Sequence, residues 1–396
     1  MFYQYILRFV VFLYGGFLGI ISHFPRRKIR SEGKAEVLAT GTFYSDNWLV
    51  THLKPLAMSK EVSVVKMVSI TPVPDIENVV GVYPPDGLRR IFGNVPARLL
   101  YYFWLAIKSR PDYLLGFHLL INGMATILIA RLVGARSIYI CGGGPREVQG
   151  GGIDTESKIF NRLAKPDLFI EKRLIKALDI CDLVVTMGTG AKEYFQSKSV
   201  KSRIEIIPGG FDSDKFSPSN NEKEYDLILI GRLSKVKRVD IFLSAIEIAK
   251  KTKKDIKAVV VGDGPDSQLL KSQCKKIGLE DNVVFAGWQN NVEEWLRNSR
   301  VFVLTSESEG LSQALIQGML AGLPAVVSDI GDLSDLVVNG KNGYLINKLE
   351  PELFADAFIS VLQNDKHYAE LSECAFRDTR KFSYEQVSKK WNDLLG

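Results

Sequence analysis

The sequence predicts an α/β protein with two doubly wound units, preceded by an apolar segment that associates with a membrane. From residue 34 onwards, short apolar runs alternate with helical periods, and this pattern restarts in the second half of the chain. A stretch rich in Pro, Gly, Ser and Asn separates the two halves. A chain of 396 residues with 46% apolar and 24% charged residues is long enough to form two hydrophobic cores.

The positive charge of the chain is concentrated at its N-terminus. The formal charge is +6, and the first thirty residues contribute +5, so the remainder carries about +1 (6 − 5). A nucleic-acid-binding protein carries its positive charge on a folded face, so we expect no nucleic-acid partner. The cysteines are far apart and fit neither a metal-ligand spacing nor a small disulfide framework, which favours a reducing compartment. They are Cys141, Cys181, Cys274 and Cys374.

Residues 9–25 form an uncharged apolar stretch that precedes a basic cluster at 26–30. The stretch is at the short limit for a membrane-spanning helix, and Gly15 and Gly16 weaken a helix at its centre. We expect residues 1–30 to be a membrane anchor or an interfacial segment, with the basic flank on the cytoplasmic side. A cleaved signal peptide and an ordinary buried helix are the alternatives, and the position of the charge after the apolar stretch argues against the signal peptide.

The apolar runs beyond the N-terminal segment have the length of buried strands. In the first half they are "AEVLATG", "VSVVKMVS", "DYLLGFH", "RSIYICGG" and "DLVVTMG", and in the second "YDLILIG", "IKAVVVGDG", "NVVFAG", "RVFVLTS", "LPAVVSD" and "GYLI". Each is followed by a segment long enough to cross over, which indicates parallel sheets. The predicted domains are residues 31–207 and 208–380, and we expect 381–396 to form a helix that packs back on the first domain. Ligands are expected in a cleft between the domains, at the carboxyl ends of the strands.

Cations follow the first strand of the second half. Gly231 ends this strand and allows a ligand to come close to the backbone. Arg232 can bind two phosphate oxygens at once through its guanidinium N–H groups, and Lys237 adds a point charge. A solvated basic loop is the alternative interpretation. After the next strand, Gly264 belongs to a Gly-x-Gly-Pro turn, where main-chain N–H groups at a helix N-terminus could hold a phosphate. Ser267 stands where a dinucleotide fingerprint has its last glycine.

The order of these motifs resembles family 4 of the retaining glycosyltransferases, which have the GT-B fold. The resemblance runs from residue 35 to the end, through "ATGTF", "IIPGGFDSDKF", "GRLSKVKR", "VVVGDGP", "VVFAGW" and "TSESEGLSQALIQGMLAGLPAVVSD". It implies two Rossmann-like domains that face a cleft, an N-terminal acceptor domain and a C-terminal domain that binds a nucleotide-sugar.

The resemblance assigns roles to the segment that begins with Glu307. Glu309 corresponds to the carboxylate that reaches the donor-sugar hydroxyls, and Glu307 is expected to be a solvated neighbour. Gln317 stands where the family has a second carboxylate for the nucleotide ribose. A neutral hydrogen bond of about 0.5–1.5 kcal/mol then replaces a charge-assisted one of about 1.5–3 kcal/mol, so we expect weaker nucleotide binding rather than lost chemistry. The main-chain amides expected to contact the donor are those of Gly310, Leu311 and Ser312.

The resemblance also implies how the leaving group is stabilised. Arg232 and Lys237 match the family's phosphate-binding pair, and such cations stabilise a nucleoside diphosphate as its charge develops, so we expect neither a metal nor another cofactor. His118 corresponds to a histidine beside the donor sugar and the acceptor. Gly41 ends the first strand, where a side chain would block the cleft. Retention of anomeric configuration follows from the family.

Three other segments allow more than one interpretation. Asp212 and Asp214 match an Asp-x-Asp metal signature, but a capped turn is the simpler use of the two aspartates. Residues 95–111 carry aromatic residues between cations and form either a membrane-interface helix or a largely buried core helix. The glycine-rich loop at residues 141–152 is expected to be a mobile wall on the acceptor side.

These observations predict a membrane-associated glycosyltransferase at the cytoplasmic face. It would move a sugar, with retention, from a UDP- or GDP-sugar to a lipid-linked or growing-polysaccharide acceptor. The acceptor class rests on the N-terminal segment alone. A sugar-nucleotide epimerase of the same fold and a nucleotide-sugar-binding scaffold without turnover are the alternatives, and Gln317 is the feature that supports the scaffold.

Overall fold

The computed structural model describes residues 2–27, 33–43, 45–155, 157, 159–219 and 222–396. The chain divides into two compact units. Unit 1 comprises Met1–Gly210 and Tyr384–Gly396, and unit 2 comprises Phe211–Ser383. The divisions follow Gly210 and Ser383, three residues after the predicted domain ends at 207 and 380. Lys28 and Arg30 of the predicted basic cluster lie outside the described residues.

Unit 1 contains a seven-stranded parallel sheet with the order β3-β2-β1-β4-β5-β6-β7. Its central strands are buried on both faces, which explains their continuous apolar sequences. The five predicted strands are present, and the two short strands absent from the prediction, β3 and β7, form the edges. The strands are β1 (Ala35–Thr40), β2 (Val62–Val68), β3 (Val79–Val82), β4 (Tyr113–Phe117), β5 (Arg136–Cys141), β6 (Leu183–Thr186) and β7 (Arg203–Ile206).

Helices cover both faces of this sheet. The helices of unit 1 are α1 (Phe2–Ile21), α2 (Asp46–Ala57), α3 (Asp86–Phe92), α4 (Asn94–Ser109), α5 (Met124–Val133), α6 (Leu168–Leu178), α7 (Thr189–Ser197) and α14 (Tyr384–Leu395). Helices α4, α5 and α6 pack on one face of the sheet, while α2 and α14 pack on the other. The C-terminal helix α14 is held to the end of α2 by Asn392, whose Oδ1 accepts hydrogen bonds from Ser59 Oγ (2.8 Å) and the Lys60 N–H (2.9 Å).

Helix α1 is part of the folded body of unit 1. By length and composition it could cross a membrane, but one stripe of the helix packs on α5 and α6. Arg8 Nε and Gln4 Nε2 donate to Asp167 Oδ2 at 2.7 and 2.5 Å, and the other oxygen of Asp167 caps α6. Unit 1 therefore begins before residue 31, the predicted start of the first domain, because a helix apolar all round can fill a core with one side and expose the other. The buried residues of α1 are Leu7, Val11, Leu18 and Ile21.

Unit 2 contains a six-stranded parallel sheet with the order β10-β9-β8-β11-β12-β13, and all six of its strands were predicted. They are β8 (Tyr225–Ile230), β9 (Ala258–Val261), β10 (Val283–Gly287), β11 (Ser299–Leu304), β12 (Ala325–Ser328) and β13 (Gly343–Ile346). The helices are α8 (Val239–Ala249), α9 (Ser267–Lys276), α10 (Val292–Arg297), α11 (Gln313–Leu320), α12 (Pro351–Leu362) and α13 (Asp365–Thr379). Both sheets are thus doubly wound, as predicted.

Candidate functional site

The predicted phosphate cation and the predicted sugar carboxylate form an ion pair in unit 2. Strands β8 and β11 are parallel neighbours, so the loops that follow them leave the same edge of the sheet. Lys237 Nζ lies 2.6 Å from Glu309 Oε1, and Ser306 Oγ donates to the same oxygen at 2.6 Å. The side chain of Glu309 is only 10% exposed and that of Lys237 is 24% exposed. The structure therefore places two groups with complementary charge beside each other in a partly desolvated position.

The turn that carries Lys237 is fixed by the residue that follows β11. Residues Lys235–Lys237 form a 3-10 turn. The buried Thr305 hydroxyl donates to the carbonyl oxygens of Lys237 (3.1 Å) and Arg238 (2.8 Å). Arg238 has a left-handed backbone with φ of +46°, which is uncommon for a side chain other than glycine. These contacts position the ammonium group of Lys237 relative to β11.

Glu307 is exposed, as expected of a solvated neighbour, but it also forms an ion pair. Its Oε1 lies 2.6 Å from Arg238 Nη1, and Arg238 also contacts Asp240 at 2.9 Å. The Glu307 N–H donates to the Val236 carbonyl at 2.8 Å. Glu307 therefore joins the loop after β11 to the turn after β8, a structural role that spacing along the sequence did not reveal.

The glycines at these strand ends have two different surroundings. A Cβ at Gly262, where φ is +130°, would overlap the Gly231 carbonyl, and a Cβ at Gly264 would overlap the Leu233 carbonyl. The Gly264 N–H donates to Asp263 Oδ1 at 2.7 Å. The small size of Gly264 is thus required by loop packing, and its N–H already has a carboxylate partner. At Gly231, by contrast, a Cβ would meet only the flexible Lys237 side chain, at 3.7 Å.

The segment after Glu309 leads into α11 through an open backbone. Gly310 is exposed, and a Cβ there would meet nothing within 4 Å. Ser312 is the N-cap of α11 and accepts a hydrogen bond from the Leu315 N–H at 3.3 Å. Leu311 packs partly against the core. Gln317 is half-buried on α11.

Arg232 lies apart from this ion-pair network. Its side chain is exposed, and among the residues that the structure describes it has no ion pair. The structure therefore brings Lys237 and Glu309 together directly and leaves Arg232 at the same strand end with its guanidinium towards solvent. Its predicted role towards phosphate stays a prediction.

In unit 1, His118 is held by a buried carboxylate that the sequence analysis did not identify. His118 Nδ1 lies 2.9 Å from Glu147 Oε1. Glu147 also accepts hydrogen bonds from the Leu119 N–H (2.6 Å), Tyr139 Oη (2.7 Å) and the Gly143 N–H (2.5 Å). Burial alone would raise the pKa of Glu147, but the contacts with His118 and the other donors lower it below its ordinary value. An ionised carboxylate only accepts, so Nδ1 of His118 carries the proton.

The position of His118 is also restricted by its backbone and by Trp48. His118 has φ of +61° and follows β4 directly, and an irregular turn over Leu119–Gly123 comes next. Its ring stacks on Trp48 with centroids 5.6 Å apart. A Cβ at Gly142 would lie 2.8 Å from the Trp48 ring and 3.0 Å from the His118 ring. Unusual backbone geometry at a half-exposed histidine is a feature of functional sites.

Gly41 is enclosed by aromatic side chains and a buried arginine. A Cβ at this position would lie 2.5 Å from the Phe43 ring and 3.0 Å from Phe117 Cβ. Its carbonyl accepts a hydrogen bond from Arg98 Nη1, and Arg98 Nη2 donates to Asn122 Oδ1 at 2.7 Å. Burial lowers the pKa of Arg98 to about 10. Local packing thus accounts for the glycine, and Arg98 is a core residue that fixes the end of β1.

Asp212 and the glycine-rich loop both make local contacts. Asp212 Oδ1 accepts hydrogen bonds from the N–H groups of Asp214 (3.1 Å) and Lys215 (3.0 Å), so it caps a turn. Within the described residues, no group of three or more His, Cys, Asp or Glu side chains could hold a metal. The loop at 141–152 contains two short turns, and Glu147 connects it to the sheet through Tyr139; its mobility stays a prediction.

One protein-family model matches most of unit 2. Residues 210–378 match the family model for glycosyl transferases group 1. The chain is 33% identical over 167 residues to N-acetyl-alpha-D-glucosaminyl L-malate synthase of Bacillus anthracis, an alignment that covers 42% of each chain. It therefore spans less than half the length of that relative, and it covers 62% of an uncharacterized glycosyltransferase of Haemophilus influenzae.

Some of the similar proteins match over most of the chain. It is 24% identical over 354 residues to GalNAc-alpha-(1->4)-GalNAc-alpha-(1->3)-diNAcBac-PP-undecaprenol alpha-1,4-N-acetyl-D-galactosaminyltransferase of Campylobacter jejuni, which covers 88% of this chain and 93% of the relative. The crystal structure of Anabaena HepE in complex with UDP is similar with a TM-score of 0.68 and 16% identity, over 91% of this chain and 99% of the other. At this identity the structural likeness establishes the fold.

Proposed function

Since unit 2 belongs to the group 1 glycosyltransferases, we propose that the protein transfers a sugar, with retention, from a UDP- or GDP-sugar to a lipid-linked or growing-polysaccharide acceptor. The observation that carries the proposal is the Lys237–Glu309 pair at the carboxyl edge of the unit 2 sheet. In open α/β sheets this edge is where ligands bind. A nucleotide-sugar presents an anionic diphosphate and a hydroxyl-rich sugar, which are the two chemistries that an ammonium and a carboxylate recognise.

The reaction breaks the bond between the sugar C1 and the diphosphate oxygen. Negative charge then grows on the leaving diphosphate, and the fixed ammonium of Lys237 together with Arg232 stabilises that charge more than the ground state. Lys237 leaves Glu309 as the diphosphate arrives, and Glu309 then accepts hydrogen bonds from the sugar hydroxyls. The open surroundings of Gly310 leave room for the sugar beside its amide. Because Lys237 and Arg232 stabilise the charge of the leaving diphosphate, the proposed mechanism needs no metal or other cofactor.

In unit 1, we assign His118 to recognition of the acceptor. Glu147 and Trp48 fix the ring, so His118 offers an oriented hydrogen-bonding group that needs no reorganisation during the reaction. The acceptor oxygen attacks C1 from the face that the diphosphate leaves, and a donor phosphate oxygen takes its proton. This sequence of bonds retains the anomeric configuration.

The proposed location is the cytoplasmic face of a membrane. Helix α1 exposes many large apolar side chains, and only 22% of its most apolar 18-residue stretch is buried. An exposed apolar surface of that extent marks a membrane or protein interface. The Campylobacter jejuni relative is named for an undecaprenol-linked substrate, which supports a lipid-linked acceptor for this chain.

The experiment uses the full-length protein with UDP- and GDP-sugars and a lipid-linked oligosaccharide acceptor. We expect acceptor-dependent release of UDP or GDP, an α-linked product from an α-linked donor, and unchanged turnover in EDTA. Isomerised nucleotide-sugar without free nucleotide would indicate an epimerase, and binding without release would indicate a scaffold. Loss of activity in EDTA that added divalent ions restore would refute the metal-free mechanism.

A further inference from the structure

An apolar surface outside the active residues lies on α3 and α4, which we call the α3–α4 surface. Helix α3 has no buried residue, although it ends in Ile91 and Phe92, which are 75% and 51% exposed. A two-turn helix is marginal on its own in water, so it depends on its contacts with α4 and on whatever covers its outer side. Unpartnered apolar residues on such an element indicate a docking surface.

Helix α4 has an apolar stripe on each of two sides. One side is buried against the sheet through residues such as Tyr102 and Leu105. On the other side, Leu100, Trp104 and Ile107 are spaced by four and three residues and are 44%, 47% and 52% exposed. This spacing places the three side chains on one helical face. The buried side fits the core-helix interpretation of residues 95–111, and the exposed apolar side is the part to which the membrane-interface interpretation can apply.

The charges around this apolar stripe select the partner. The exposed or half-buried charged residues of the surface are Arg89, Arg90, Lys108 and Arg110 with a single acid, Asp86. Lys108 Nζ lies 4.7 Å from the centre of the Trp104 ring, and Tyr101 stacks on the same tryptophan at 5.4 Å. Stacked aromatic rings beside cations are typical of residues at the level of lipid headgroups. An excess of cations complements an anionic surface.

The α3–α4 surface is continuous with the face of unit 1 that carries α1. Leu114 of β4 faces α4 and α5, and Tyr139 of the neighbouring strand β5 faces α1, α5 and α6, on the same side of the sheet. Helix α5 packs in both clusters, and α4 contacts it directly. The exposed apolar side of α1 and the stripe on α4 are therefore carried by one face of unit 1, while α2 and α14 lie on the other.

We propose that the α3–α4 surface binds the surface of a bilayer that contains anionic phospholipids, as a second contact in addition to α1. The apolar stripe enters the acyl boundary, and the cations lie among the phosphate headgroups. This inference rests on the proposed membrane location and adds an element to it. Two contacts on one face bind a bilayer more tightly than either alone, because the second contact forms within one complex.

The test is co-sedimentation of the full-length protein with phosphatidylcholine vesicles, with and without phosphatidylglycerol. The triple variant Leu100→Ser, Trp104→Ser and Ile107→Ser should bind about tenfold more weakly to both kinds of vesicle. Its matched control carries serines at three apolar positions of unit 2 that are each at least 44% exposed, and it should bind like the wild type. These positions are Leu269, Val284 and Trp288.

The electrostatic part is tested separately. Replacing Arg90, Lys108 and Arg110 with glutamine should abolish the preference for vesicles with phosphatidylglycerol and leave binding to phosphatidylcholine unchanged. Insertion is read directly by tryptophan quenching with brominated phosphatidylcholine, which Trp104→Phe should reduce while the circular dichroism spectrum stays the same.

Each outcome separates this inference from the membrane location itself. If the serine variant binds vesicles like the wild type while Phe9→Ser with Leu13→Ser on α1 abolishes binding, α1 is the membrane contact and the α3–α4 inference is refuted. If neither set of changes matters, the membrane location is wrong as well. If the serine variant changes only the sedimentation mass in solution, the surface joins two copies of the chain and the inference is again refuted. Nucleotide release with a water-soluble acceptor tests the transferase activity independently of these three results.

Discussion

The ion pair between Lys237 and Glu309 should be coupled in both stability and turnover. The change is a double-mutant cycle of Lys237→Ala, Glu309→Gln and the double variant. In the structure each charge satisfies the other, since Nζ and Oε1 lie 2.6 Å apart and Ser306 supplies the other hydrogen bond to that oxygen. The pair is therefore an interaction whose loss leaves one charged group short of a partner.

The magnitude for stability follows from exposure. Removing one member of a fully buried pair costs about 3–5 kcal/mol, whereas exposed pairs are worth about 0–1 kcal/mol. With Glu309 at 10% and Lys237 at 24% exposure, we expect Lys237→Ala to lower the free energy of unfolding of unit 2 by about 1–2 kcal/mol. The double variant should lose less free energy of unfolding than the two single variants lose in total, because Lys237→Ala alone already removes the interaction.

The magnitude for turnover is larger and is not shared equally. Lys237→Ala should reduce kcat by about 100-fold or more, the effect of losing one preorganised charge stabiliser of about 2.7–4 kcal/mol. Glu309→Gln should also reduce kcat, while its Kd for free UDP or GDP changes little, because its partner in the reaction is the sugar. Nucleotide release gives kcat, isothermal titration gives Kd, and thermal unfolding followed by circular dichroism gives stability.

The control is Asp365→Asn, which removes the ion pair of Arg300 at the amino end of β11. Asp365 is 93% exposed, so stability should change by less than about 0.5 kcal/mol and turnover should stay unchanged. Full activity in Lys237→Ala would refute the assignment of this residue to the diphosphate. Strict additivity of the two stability losses would show that the observed pair contributes nothing to the folded state.

Three further predictions rest on separate observations. Gly264→Ala should lower the thermal midpoint of unfolding by several degrees, because a Cβ there overlaps the Leu233 carbonyl. Gly310→Ala should leave the midpoint unchanged and raise KM for the donor. The reverse pattern would contradict the assignment of Gly264 to loop packing and of Gly310 to the donor. Burial lowers the pKa of His52 to about 3, so between pH 7 and pH 5 His52 takes up a proton in the unfolded chain but not in the folded one. The free energy of unfolding should therefore fall by about 2 kcal/mol over this range in the wild type. This loss should be absent in His52→Leu. Gln317→Glu should leave or tighten the affinity for UDP or GDP measured by titration, and a clear loss of affinity would remove Gln317 from the ribose site.

The sequence was sufficient for elements whose signal is local. All six strands of unit 2 were predicted because each contains an apolar run of strand length. The two strands missed in unit 1, Val79–Val82 and Arg203–Ile206, have four residues each and lie at the sheet edges. Arg203–Ile206 alternates charged with apolar residues, and Val79–Val82 is interrupted by Gly81, so neither is a clear strand signal in the sequence.

The residues missed at the candidate site are those whose importance depends on tertiary contacts. Glu147 is one acid in a glycine-rich loop, and only the fold brings it to His118. Arg98 had a weak signal that could have identified it. It lies one position after Ala97 and four before Tyr102, on the apolar side of α4, and a charged residue within a buried stripe needs polar partners. A helical period therefore indicated that Arg98 is buried, but the acceptors Gly41 and Asn122 could be found only in the structure.

The glycines of unit 2 show why a motif and a binding site are not the same thing. Gly262 and Gly264 are part of a recognisable motif, yet the surroundings of both are filled by main-chain carbonyls of the neighbouring loop. A substitution at either position would move the loop that carries Arg232, and activity would fall without any direct contact with a ligand. Gly310 has open space on its side-chain position, which folding alone does not require. No contact within the chain therefore requires a glycine at position 310, and the proposed donor site predicts that Gly310→Ala weakens donor binding without a loss of stability.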